Sequence, residues 1–261
     1  MKNDSNKQGS FVSHLTELRT RLISSIYLLF VFFLISYYFS EEIYSFLVQP
    51  YADIVENDGQ ERRLIFTALQ ETFITYLKVS FFAAFFVSSP LILNQIWKFI
   101  APGLYDNERK ALRPYLILTP LLFLLGGLLV YYLIMPLAIK FFLSFETSSQ
   151  INNLPIQIEP KVNEYLSLIM KLIFAFGISF QLPVILSLLA RIGFVDSEYL
   201  KKRRKYVVVI IFAVAAILTP PDPVTQIGLA IPLLLLYELS IMSVKIIEKK
   251  IKEKEKEHAQ Y

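Results

Sequence analysis

Long apolar runs alternate with short polar segments along the whole chain, and six of the runs read as membrane-crossing helices. The first covers Leu22 to Phe39, the second Thr72 to Ile100 and the third Pro114 to Met135. The fourth covers Val162 to Leu189, the fifth Tyr206 to Leu218 and the sixth Gln226 to Val244. Pro90, Pro120, Pro183 and Pro232 lie inside spans, where each removes a backbone donor and bends the helix. The fifth run has 13 residues. At about 1.5 Å per residue it is shorter than the hydrocarbon core of about 30 Å, which predicts locally thinned lipid beside it. Before the first span, Phe11, Leu15, Leu18 and Leu22 form one apolar helical stripe beside His14, Glu17 and Arg21. That spacing predicts an amphipathic helix lying on the membrane before turning into the first span.

Charge orients these spans. Nineteen of the 26 Lys and Arg fall before span 1, between spans 2 and 3, between spans 4 and 5, or after span 6. Four fall on the other side, so both termini are expected in the cytoplasm. The first outer loop is acidic, with Glu41, Glu42, Asp53, Glu56, Asp58, Glu61 and Glu71 against Arg62 and Arg63. The net charge of +4 follows this flanking pattern, which points to a lipid bilayer and not to nucleic acid. The expected organisation is a cytoplasmic N-terminal segment (1–21), a six-helix transmembrane domain (22–244) and a charged cytoplasmic tail (245–261). No short apolar core with a small-residue cleavage site precedes span 1, so no cleaved signal peptide is expected.

Chemistry is sparse. The chain has no cysteine and two histidines, His14 and His258, so no metal site, cofactor or cysteine nucleophile is expected. A transporter or proton-coupled channel is the alternative function, but few ionisable residues lie inside the spans. Glu17 and Arg21, at i and i+4, read from spacing alone as a surface ion pair. Trp97 and Phe99 read as an interfacial aromatic belt, and Glu108 as a partner of Arg109 or Arg113.

Four segments, taken in order, resemble the TatC family, the multispanning subunit of the twin-arginine protein translocase. They are His14-Leu-Thr-Glu17-Leu-Arg19-Thr-Arg21-Leu22, Ile96 through Tyr105 with Glu108-Arg109, Ala175 through Pro183, and Leu218-Thr-Pro-Pro-Asp222. The resemblance implies an all-α fold of six transmembrane helices in a concave, glove-like arrangement. It implies a non-enzymatic receptor that binds twin-arginine signal peptides and helps export folded cargo across the bacterial cytoplasmic membrane with the proton-motive force. It also implies single-span partners, either TatA-type alone or TatA-type together with TatB-type, and a homo-oligomer within the complex. By resemblance, Glu17, Arg19, Phe99, Glu108 and Arg109 fall on signal-peptide-binding positions, and Gln181 and Gln226 on partner-helix docking positions. Pro50, Glu71, Pro220, Pro221 and Asp222 match the family's outer loops. Many members carry Glu where this chain has Gln181, which can hydrogen-bond but not titrate, so no proton relay is expected there. The chemistry agrees with the implied role: a guanidinium is a planar fork suited to a carboxylate, and two adjacent arginines call for two carboxylates.

Overall fold

The computed structural model describes residues 2–58, 62–100, 106–146, 157–218 and 223–259. Among them, regular structure is helical throughout apart from one isolated parallel bridge, Ile65 to Lys161. The helices are α1 (Lys2–Tyr38), α2 (Ser40–Asp58), α3 (Glu71–Ile100), α4 (Asp106–Leu129), α5 (Met135–Leu143), α6 (Val162–Ser179), α7 (Leu182–Arg191), α8 (Ser197–Leu218) and α9 (Pro223–Ala259). Among the described residues, five stretches are long and apolar enough to cross a membrane: Leu15–Tyr38, Glu71–Ile96, Tyr115–Leu143, Val162–Arg191 and Thr225–Glu253. The expected fifth run is the apolar end of α8, behind five consecutive basic residues, 201–205.

Three features differ from the sequence expectation. The N-terminal segment does not turn before the first span: α1 runs unbroken from Lys2 to Tyr38, because no proline interrupts it. The stretch after it, read as an acidic loop, is the helix α2 with Pro50 inside. Its Glu41 and Glu42 sit in the first turn, where the helix dipole favours negative charge. The third span is not one regular helix. A π-helical turn, Val130–Ile134, joins α4 to α5, and the Met135 N–H donates to the Val130 carbonyl five residues back. Pro136 follows at once, and the wider turn lets its ring clear the preceding carbonyls.

The chain divides into two compact units, Met1–Tyr44 with Tyr76–Leu121, and Ser45–Thr75 with Leu122–Tyr261. In the first, α1 and α3 are linked by a side-chain hydrogen bond, and most of the α1 apolar residues, such as Leu22, Ile26 and Phe30, are exposed. The second holds most of the core. Phe176, Leu166, Ile169 and Met135 are fully buried, and a satellite cluster of Ala190, Leu200, Tyr237, Ile241 and Val244 ties α7, α8 and α9. Glycine lets α4 and α6 approach closely: a Cβ on Gly126 would lie 2.7 Å from the Phe176 carbonyl oxygen.

Candidate functional site

In the first unit the spacing-based reading of Glu17 holds and is extended. The Arg21 Nε and Nη2 donate to Glu17 Oε1 at 3.0 and 2.6 Å, the favoured Glu-before-Arg order on a helix. The Arg21 Nη1 also donates to Gln95 Oε1 of α3 at 3.0 Å, so one guanidinium joins two helices. Both charged side chains are about a third exposed or less, so the pair is screened but fixed by three bonds. Glu17 Oε2 accepts no hydrogen bond among the described residues. Glu17 is therefore oriented by Arg21 while, among the described residues, half of its carboxylate stays open.

Phe99 lies one turn beyond Gln95, on the same face of α3, and is half-buried. Arg21 thus ties Glu17 to Gln95 across the α1–α3 contact, and Phe99 lies one turn further along α3. Arg19 is not part of this contact. Two residues from Glu17, it points to the far side of α1, is exposed and makes no ion pair among the described residues. Glu108 and Arg109 lie at the start of α4, and their side chains are outside the described residues. Gln95 was missed from sequence; its signal was the polar pair Asn94-Gln95 within an apolar run.

In the second unit the polar positions serve helix irregularities. At the α6–α7 break the Gln181 N–H bonds the Ile178 carbonyl, three residues back, leaving the Gly177 carbonyl without its helical donor. The Gln181 Nε2 reaches that carbonyl at 3.4 Å, and the residue is 6% exposed. Gln226 Nε2 donates to the Phe212 carbonyl of α8 at 3.0 Å, pinning the start of α9. Along the same helix pair, Tyr237 donates to the Leu200 carbonyl at 2.8 Å and Arg204 pairs with Glu238 at 2.7 Å. Glu248 accepts the Ser197 N–H and hydroxyl, each at 2.6 Å, capping α8. The charged run after Lys245 therefore contributes this cap.

Pro50 has a similar consequence. Without its N–H, the Phe46 carbonyl lacks a helical donor, and the Tyr131 hydroxyl donates to it at 2.7 Å. The two rings stack with centroids 4.5 Å apart. Glu71 accepts the backbone N–H groups of Thr67 and Ala68 at 2.7 and 3.2 Å, fixing the entry into α3. Nearby, Arg62 and Glu146 form an ion pair with side chains only 3% and 10% exposed, and Glu146 also accepts the Ile158 N–H. Burial pushes the Tyr51 phenol above the ordinary tyrosine range, with Arg62 opposing and Glu146 adding to the shift. Pro220, Pro221 and Asp222 lie outside the described residues.

The family model described as Sec-independent protein translocase protein (TatC) matches residues 13–232. A Magnetococcus marinus protein of that description is 48% identical over 255 residues, covering 98% of this chain and 91% of its own. An Escherichia coli protein of the same description is 37% identical over 230 residues, covering 88% and 86%. A solved crystal structure of a twin-arginine translocase receptor, TatC, superimposes with a TM-score of 0.76 at 39% identity, covering 90% of this chain and 99% of that one.

Proposed function

The chain belongs to the TatC family of Sec-independent translocase proteins and is a core membrane subunit of the twin-arginine translocase; from this we propose that the α1–α3 contact of its first unit receives the twin-arginine signal peptide. The observation that carries the proposal is the Glu17 carboxylate, held by Arg21 on one oxygen and, among the described residues, open on the other. A signal-peptide guanidinium approaching Oε2 gains a charge-assisted hydrogen bond without first having to order the acid. Glu108, with Arg109 beside it, supplies the second carboxylate, and Phe99 supplies an aromatic wall. Arg19 acts at longer range, through charge.

The working topology is six spans, with α8 as the short one, both termini in the cytoplasm and the chain in the bacterial cytoplasmic membrane. The basic distribution supports this. The 1–21 segment is the receptor end of α1, 22–244 the membrane domain and 245–261 the cytoplasmic tail. Single-span partners of TatA type, with or without a TatB-type one, dock through polar contacts at Gln226 and Gln181; half-buried Gln226 is the more accessible of the two. Several copies assemble in the complex, and export uses the proton-motive force without covalent chemistry. Pro220, Pro221 and Asp222, with Pro50 and Glu71, shape the outer rim. The test is export of a folded twin-arginine reporter in cells lacking their own TatC-type subunit. This chain with its partner subunits restores export and Glu17→Lys does not; export restored equally by both would contradict the proposal.

A further inference from the structure

On α8, Tyr199, Arg203, Tyr206, Ile210 and Val214 recur at i, i+4, i+7, i+11 and i+15, which places them on one face. That face borders an open groove of about 640 Å³ shared with α7 and α9, whose floor includes the buried Leu233 and Tyr237. The groove is apolar along Ile210 and Val214 and charged at one end. There the Arg203 guanidinium lies 5.3 Å from the Tyr199 ring and 5.6 Å from the Tyr206 ring. Lys205 contacts the same Tyr206 ring at 5.1 Å. Of the five basic residues at 201–205, Arg204 alone has a carboxylate partner among the described residues. Arg203 is thus positioned by two aromatic rings, contacts that use its charge and leave its N–H fork without a carboxylate.

From Tyr206 to Val214 is eight residues, about 12 Å of helix, close to the depth of one hydrocarbon leaflet of about 15 Å. We propose that this groove binds an anionic phospholipid, with one acyl chain along Ile210 and Val214 and the phosphate on Arg203. Uncompensated positive charge at one end and an apolar wall of leaflet depth at the other match that ligand at both ends. The site is separate from the α1–α3 contact, so either reading can fail alone.

The test is native mass spectrometry of the full chain in detergent with equal amounts of dioleoyl phosphatidylglycerol and dioleoyl phosphatidylcholine. The protein is expected to retain phosphatidylglycerol about fivefold better, the scale of one basic side chain near an anionic surface. Arg203→Gln removes that preference, Ile210→Trp fills the groove and lowers retention of both lipids, and Lys249→Gln, in the tail, changes neither. Arg203 is exposed, so its variant is expected to keep wild-type elution and circular dichroism. Equal retention of the two lipids, or an R203Q variant that binds like wild type, overturns the proposal. Full displacement of the lipid by glycerol 3-phosphate would make it a bare anion site, and a single-span helix holding the groove in place of lipid would give it to a protein partner; each of these also overturns it.

Discussion

The Pro50–Tyr131 arrangement yields a prediction that can be worked through as a double-mutant cycle. Tyr131→Phe keeps the ring stacked on Phe46 and removes only the hydroxyl that donates to the Phe46 carbonyl at 2.7 Å. A fully dry orphan carbonyl costs about 1–3 kcal/mol. Hydrogen bonds within membrane proteins average nearer 0.6 kcal/mol, roughly. The bond is only part-buried, so the expected loss lies between these, about 1 kcal/mol. In a Pro50→Ala background the new N–H at position 50 can take the same carbonyl, and Tyr131→Phe then costs a few tenths. The coupling is therefore about 0.5–1 kcal/mol, a two- to fivefold change in the unfolding equilibrium. Equilibrium unfolding of the four proteins in mixed detergent and SDS micelles, followed by circular dichroism, measures it. An equal cost of Tyr131→Phe in both backgrounds would refute the idea that the hydroxyl replaces the missing proline donor.

Two other substitutions test the packing. Gly126→Ala places its Cβ 2.7 Å from the Phe176 carbonyl, and backbone cannot yield cheaply. The overpacking penalty of about 1–3 kcal/mol exceeds the gain of about 1 kcal/mol in helix propensity, so this variant should melt earlier in detergent. Gly228→Ala meets nothing within 4 Å and should be neutral or stabilising in the same assay; the reverse order would contradict the close α4–α6 contact. Glu248→Ala removes both bonds to Ser197, a cap worth about 1 kcal/mol, and should speed hydrogen exchange in the first turn of α8. Unchanged exchange there would show that the cap contributes nothing.

Hydropathy and charge made the long helices legible, because an apolar run bounded by basic residues needs no tertiary information. The α2 helix was not legible. Its residues carry enough charge to look like a loop, and it is held by distant groups, the Tyr131 and Tyr165 hydroxyls on the Phe46 and Leu47 carbonyls. The proline positions were visible, but their consequences depended on which side chain reaches the freed carbonyl. Ser89 does this for Phe86 at 2.7 Å beside Pro90, as Tyr131 does for Phe46. At the α1–α3 contact, spacing found the Glu17–Arg21 pair, and the family resemblance marked Glu17. Neither indicated that Arg21 would also reach Gln95, since that bond links residues 74 positions apart.

The central claim is that two carboxylates of this chain receive two consecutive arginines. It is tested most directly by photocrosslinking a twin-arginine signal peptide to membranes holding this chain with its partner subunits. Glu17→Lys and Glu108→Lys should each abolish the crosslink, and a peptide carrying two lysines in place of the arginines should fail to crosslink to the unaltered chain, because a compact, strongly hydrated ammonium gives up more solvation than a guanidinium at the same carboxylate. Undiminished crosslinking of the twin-arginine peptide to both variants would contradict the account.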